Sequence, residues 1–214
     1  MCRVESRLNT VKTITFVRHA QSEANAGGVT QPHHSIPLSD LGRRQAKELA
    51  QSLEITPSQI LVSEFVRTAE TAAPFCERVG MESKVHPLLN EFSSIDSALL
   101  AGMRGAQRRP IADAYWERRD PDLRMGPRAE TFAEFDLRVS QFVGALDSLP
   151  SGTLIFGHGQ FLALTIWRLQ RIGDAGPSSM SDFRKFQTAL PMPNCAIYTI
   201  KNASDGGWVA TAGP

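Results

Sequence analysis

Lys12-Thr13-Ile14-Thr15-Phe16-Val17-Arg18-His19 decides the fold, and it runs on as Ala20-Gln21-Ser22-Glu23-Ala24-Asn25. β-Branched and aromatic residues crowd its first part, as in a strand buried on both faces. The apolar run then stops at an arginine and a histidine. In an open α/β sheet, groups just past the carboxyl end of a strand face the ligand crevice. Arg18 and His19 therefore stand where a site is expected. An Arg-His pair in a solvated loop would look the same locally, so the rest of the chain has to decide.

Working outward, residues 26–39 form a polar loop with Gly27-Gly28, Pro32, His33-His34 and Pro37. Ser39 is placed to cap a helix with Ala46, Leu49, Ala50 and Leu53 on one face. Gly42 in its first turn brings no helical benefit and points to a close backbone approach. Gln59-Ile60-Leu61-Val62-Ser63 reads as a second buried strand, followed by a helix with Phe65, Ala69, Ala72, Cys76 and Val79 at helical spacing. A short strand through Lys84-Val85-His86 ends at Pro87. Residues 92–128 lack a long period and hold seven arginines with several prolines and glycines, so they read as an insertion with short helices around 97–103 and 111–118.

Thr131 and Glu134 form a capping box before the stripe Phe132, Phe135, Val139, Phe142, Val143 and Leu146. Gly152-Thr153-Leu154-Ile155-Phe156 is another central strand ending on Gly157-His158-Gly159. The helix expected over 160–171 is apolar nearly all round. Cys195-Ala196-Ile197-Tyr198-Thr199-Ile200 and Trp208-Val209-Ala210 suggest a terminal hairpin or edge pair. Strands alternating with helices predict an α/β fold, a three-layer α/β/α arrangement around a mostly parallel central sheet. No repeat or linker interrupts it, so residues 1–214 are expected to form one domain.

Composition narrows the function classes. A net charge of +1 on 214 residues argues against nucleic-acid or membrane-surface partners. Cys2, Cys76 and Cys195 are odd in number and lack CxxC spacing, which disfavours a disulfide framework or zinc ribbon. No apolar run approaches the roughly 20 residues that cross a bilayer, and the N-terminus lacks a signal-peptide pattern. These features point to the cytoplasm. His33-His34 has no carboxylate or cysteine at ligand spacing, so no metal site is expected there.

Four features then fall in order: Arg18-His19 after the first strand, Arg67 at a helix start after the second, Glu91 after Leu88-Leu89-Asn90, and His158 after another strand. In this order the chain resembles the histidine phosphatase superfamily, with its phosphoglycerate-mutase-like fold. Arg18-His19-Ala20 matches the family's Arg-His-Gly, beside Ser63-x3-Arg67-Thr68-x2-Thr71, the acid Glu91 and Gly157-His158. Pro37-Leu38-Ser39-x2-Gly42-x2-Gln45-Ala46 and Glu130-Thr131-Phe132 extend the match over nearly the whole chain. Ala20 departs from the usual glycine, and would cost energy if that backbone needed a positive φ.

The resemblance implies catalytic roles for His19, Arg18, Arg67, His158 and Glu91. His19 would be the nucleophile, the arginines and His158 would hold phosphate, and Glu91 would serve as general acid and then base. Asn25 and Gln21 match positions that line the pocket in some relatives. Glu64 and Glu130 are the other acids that could lie nearby. The function implied is a phosphomonoesterase needing neither metal nor cofactor, with a small phosphorylated metabolite as substrate and residues 92–128 capping the site. A phosphoglycerate mutase would follow its acid with an Arg-x-Tyr-Gly type run, whereas Glu91 leads into Phe92-Ser93-Ser94-Ile95. An inactive phospholigand-binding protein would lose the histidine or an arginine, and none is lost. An exposed terminal strand edge could also pair two copies into a homodimer.

Overall fold

A computed structural model describes residues 11–170, 179–202 and 207–213. Its strands are β1 (Thr13–Arg18), β2 (Gln59–Val62), β3 (Ser83–Val85), β4 (Thr153–Gly157), β5 (Ile197–Asn202) and β6 (Trp208–Ala212). They form one sheet in the order β3-β2-β4-β1-β5-β6. β3, β2, β4 and β1 run parallel, while β5 lies antiparallel to β1 and to β6. The expected terminal pair is thus joined to the parallel sheet through β1. Cys2, the helix end at Arg171 and the turn over 203–206 lie outside the described residues.

The helices are α1 (Asp40–Ser52), α2 (Val66–Val79), α3 (Gly105–Glu117), α4 (Phe132–Ala145), α5 (Gly159–Leu169) and α6 (Met180–Ala189). Period-two alternation sorts the strand side chains between two cores. Ile14, Phe16, Leu61 and Ile155 pack with Phe135, Phe142, Phe161 and Ile166 of α4 and α5. Val17, Ile60, Val62, Leu154 and Phe156 pack with Leu49 and Ala50 of α1 and Ala72 and Phe75 of α2. The three layers follow directly. Phe16 lies 6.1 Å from Phe142 and 6.0 Å from Phe161 between ring centroids, and burying each such side chain contributes about 1.5–3 kcal/mol.

Local signals explain the element ends. Ser39 Oγ accepts the Gly42 N–H at 3.0 Å, a cap contributing about 1 kcal/mol. The box on α4 is complete, with Glu134 N–H to Thr131 Oγ1 at 3.1 Å and Thr131 N–H to Glu134 Oε2 at 2.9 Å. A Cβ on Gly42 would fall 1.9 Å from the Gln21 carbonyl oxygen, so only glycine lets α1 meet the loop after β1.

Two expectations change. On α2 the inward stripe is Arg67, Thr68, Thr71, Ala72 and Phe75, whereas Ala69 is exposed. In the insertion, α3 starts at Gly105 and accommodates Pro110 internally, so it begins earlier than the helix expected at 111. Among the described residues, no helix is long and apolar enough to cross a membrane.

Candidate active site

Sheet register brings the key residues together. Arg18 lies opposite Gly157, and Val62 opposite Phe156, so β1, β2 and β4 end side by side. The next residues, His19, Ser63 and His158, project from neighbouring strand ends, where such a sheet forms its crevice. The His19 and His158 rings lie 5.2 Å apart at 65°. The His19 backbone N–H reaches the Gly157 carbonyl at 2.9 Å, which fixes the two loops to each other.

The buried His19 imidazole has a defined tautomer. Its Nδ1 lies 2.7 Å from the Ala20 carbonyl oxygen, an acceptor only, so Nδ1 carries the proton and Nε2 the lone pair. Burial first, then the Arg67 charge, holds the His19 pKa well below 6.5, and the neutral form prevails. Asn194 Nδ2–H donates to the His19 carbonyl at 3.0 Å, and the Ala20 N–H to Thr71 Oγ1 at 3.1 Å. Among the described residues the non-glycine positive φ values fall at Arg119 and Cys195, so Ala20 carries no such cost.

Arg67, at the second position of α2, is buried against His19. Its Nε–H donates to His19 Nε2 at 3.2 Å, an Nη1–H donates to the His33 carbonyl at 2.8 Å, and the guanidinium lies 4.8 Å from the Phe65 ring centroid. Burial pulls its pKa down to about 10, against the attraction of Glu91. Arg18 donates to the Met192 carbonyl, and its Nε is buried without a partner. His158 Nε2 meets Ser63 Oγ at 2.8 Å, while its Nδ1 is likewise buried and unpartnered. Burial and the Arg67 charge also hold His158 well below 6.5.

Glu91 is held at the start of α5. Its Oε1 accepts the N–H groups of Phe92 at 3.0 Å and Phe161 at 3.1 Å, and its Oε2 that of Gln160 at 3.1 Å. A carboxylate there offsets the positive end of the helix dipole. Arg138 of α4 steadies the preceding turn, donating at 2.7 Å to the Leu88 and Asn90 carbonyls while pairing with Glu130 at 2.7 Å.

These groups surround a cavity of about 620 Å³, whose wall includes Arg18, His19, Asn25, Arg67 and Glu91. Of the three acids singled out in the sequence, only Glu91 lines it. Glu64 is exposed beside Asn90, and Glu130 is occupied by Arg138. Asn25 Oδ1 accepts from Asn194 Nδ2 at 3.2 Å. His158 lies behind His19, outside the lining. Gln21 also lies outside, its Oε1 accepting Ser39 Oγ–H at 2.7 Å at the start of α1. His33 lines the cavity, with Nδ1 2.9 Å from Ser93 Oγ, and His34 is exposed.

The insertion supplies Phe92 to this cavity, and Ser94, Ile95, Leu100, Arg108 and Ala112 to an annex of about 190 Å³ that shares His33. Among the described residues, no group of three or more His, Cys, Asp or Glu could hold a metal ion. The sequence reading missed α6, which brings Arg184, Gln187 and Thr188 to the cavity. Met180, Phe183, Phe186 and Leu190 carried a readable helical period. It also gave Ser63 and Arg138 no role, since their value depends on partners distant in sequence.

The sequence model of the histidine phosphatase superfamily, branch 1, matches residues 14–212. The chain belongs to this superfamily. Among curated relatives of this histidine phosphatase, an adenosylcobalamin/alpha-ribazole phosphatase of Salmonella typhimurium is 31% identical over 157 residues, covering 72% of this chain and 77% of that one. A Cronobacter sakazakii protein named as a probable phosphoglycerate mutase is 29% identical over 162 residues, covering 72% of each. A mycobacterial glucosyl-3-phosphoglycerate phosphatase structure superposes with a TM-score of 0.70 at 20% identity, covering 94% of this chain and 97% of that one. For the alpha-ribazole phosphatase of Shigella flexneri the values are 0.71, 23%, 94% and 94%. At these identities the superpositions speak to the fold, a phosphoglycerate-mutase-like α/β architecture.

Proposed function

We propose that this histidine phosphatase is a metal-independent phosphomonoesterase that hydrolyses a small phosphorylated metabolite through a phosphohistidine at His19. One observation carries the reading: a neutral imidazole at the cavity wall, with Nδ1–H fixed on the Ala20 carbonyl and Nε2 facing the Arg67 guanidinium. Fixing the proton on one ring nitrogen makes the other a nucleophile.

As Arg67 transfers its Nε–H from Nε2 to a phosphoryl oxygen, the freed Nε2 lone pair attacks phosphorus in line with the ester oxygen. The N–P bond forms as the P–O bond breaks, and Glu91 in its protonated form gives its proton to the leaving oxygen. Glu91 then takes a proton from the water that attacks the phosphohistidine, and Nε2 recovers its lone pair as the P–N bond breaks. Phosphoryl transfer leaves most of the remaining work to positioning and charge stabilisation. Arg18 and Arg67 supply guanidinium forks suited to phosphoryl oxygens. Arg18 lines the cavity, where such oxygens could satisfy its unpartnered Nε, whereas the fully buried His158 Nδ1 would meet one only if its ring turned past His19. Free Cys76 and Cys195 fit a reducing, cytoplasmic setting.

The test is hydrolysis of p-nitrophenyl phosphate in excess EDTA by the wild type and His19→Ala. Activity should survive chelation and fall about 10⁴-fold or more in the variant, the scale seen when a catalytic nucleophile is removed. Activity abolished by EDTA, or equal in the variant, would overturn the assignment. If both proteins are silent on a panel of phosphate esters, interconversion of phosphoglycerates would indicate the mutase. Binding without turnover would indicate a phospholigand-binding protein.

A further inference from the structure

We propose that Arg184 recognises a second anionic group on the substrate, so the favoured substrates are phosphomonoesters whose leaving portion carries a carboxylate or another phosphate. This rests on the reading of the His19 end of the cavity as the phosphoryl site. The charged side chains lining the cavity, leaving the histidines aside, are Arg18, Arg67, Arg184 and Glu91. Arg18 at the end of β1 and Arg67 at the start of α2 stand beside His19 and are committed to the phosphoryl group. Arg184 comes from a separate element, α6, and has no carboxylate within ion-pair distance among the described residues. The attraction it feels comes from Asp113, which lies 3.9 Å from Arg109.

Arg184 is also held in place. Its guanidinium lies 4.9 Å from the Trp116 ring centroid, and Nη1–H donates to Gln187 Oε1 at 2.6 Å. Trp116 is itself packed 6.2 Å from Phe183 and 6.0 Å from Phe132 between ring centroids. Stacking on an aromatic face orients a guanidinium and leaves its edge for a ligand. Gln187 and Thr188, three and four residues further on, share its helix face and line the same cavity. A cation oriented in this way and half removed from water gains most by meeting an anion, and its fork fits a carboxylate or a phosphate.

Wild type, Arg184→Gln and Arg184→Lys are compared on p-nitrophenyl phosphate, glycerol 3-phosphate, 3-phosphoglycerate and fructose 1,6-bisphosphate. In Arg184→Gln, kcat/KM for a substrate with a second anion should fall about tenfold more than for the two without, mostly through KM. Arg184→Lys should recover part of the loss. Whether 3-phosphoglycerate or the bisphosphate suffers more identifies the anion read. An equal loss on all four substrates, or none, would overturn the proposal.

Titration calorimetry with 3-phosphoglycerate and glycerol 3-phosphate on the same proteins separates the two readings. If no ester is turned over, yet Arg184→Gln binds 3-phosphoglycerate selectively about tenfold more weakly, the anion reading stands and the phosphatase reading falls. Intact turnover without selectivity in binding or kinetics does the reverse.

Discussion

At the strand ends, Arg18, His19, Ser63 and His158 follow apolar strands and are fixed by backbone pairing, with Arg18 opposite Gly157 and Val62 opposite Phe156. The cavity is also lined by Arg184, Gln187 and Thr188 from α6, and by Phe92, where the insertion begins. A side chain just past a parallel strand inherits its position from the whole sheet. A side chain on α6 inherits it from local packing of that helix against Trp116 and Trp167. The first arrangement suits groups that must be placed to a fraction of an ångström for chemistry. The second tolerates change and suits recognition of the leaving portion. Glu91 stands between them, at the end of a 3-10 turn (Pro87–Leu89) but tied to α5.

The largest test of this contrast is Arg138, which fastens the Glu91 turn to α4. Arg138→Ala leaves the half-buried Glu130 without its partner and frees two carbonyls, at an expected cost of about 2 kcal/mol in urea unfolding. If Arg138 positions Glu91, kcat should fall further for an alkyl phosphate than for p-nitrophenyl phosphate, whose leaving group needs little protonation. The double change Arg138→Met with Glu130→Met should regain stability without regaining alkyl phosphate turnover. Equal losses on both esters, or full recovery in the double variant, would reduce Arg138 to a structural pair.

The same contrast governs what could be read from the sequence. Ile14, Phe16 and Val17, or Leu154, Ile155 and Phe156, declare buried strands by composition alone, and the residues after them declare the site. Asn25 lines the cavity, whereas Gln21 does not. Two residues beyond His19 suggests proximity, yet the turn that brings Gln21 against Ser39 depends on Gly42, over twenty residues away. In α6, Met180, Phe183, Phe186 and Leu190 keep a helical period, while Arg184 and Gln187 between them supply the polarity that lets it face a cavity. Within the insertion, Pro110 hid the first turn of α3.

A smaller effect is expected at Ser63. Thr68 Oγ1–H donates to the Phe65 carbonyl at 2.8 Å, and the Phe65 N–H donates to Ser63 Oγ at 3.1 Å. The Ser63 proton then goes to Thr68 Oγ1 at 3.0 Å or to His158 Nε2 at 2.8 Å. With that proton donated to His158 Nε2, the imidazole carries its own proton on Nδ1, the atom that is buried without a partner among the described residues. Ser63→Ala should therefore change the His158 tautomer seen in imidazole ¹⁵N spectra and lower kcat about tenfold, the loss of one charge-assisted hydrogen bond. A lower kcat with the tautomer unchanged would point to packing alone.

Acid sensitivity sets the strand-end histidines apart in a different measurement. His19 and His158 have folded pKa values held well below 6.5, by burial first and the Arg67 charge second, whereas the unfolded chain titrates near 6.5. Above pH 6.5 both states carry neutral imidazoles and the full stability is present. Below it the unfolded state takes up protons that the folded state refuses, so stability is lost as the pH falls, by about 1.4 kcal/mol per pH unit for each imidazole. His33 is lowered for the same reasons but is only half-buried, so solvent screening makes its share smaller. Urea midpoints at pH 7.5, 6.5 and 5.5 should be level over the first interval and drop over the second, and His158→Asn should reduce the drop. A midpoint that stays level to pH 5.5 would mean that the strand-end histidines take up protons in the folded protein, removing the electrostatic basis for a neutral His19 nucleophile in acid.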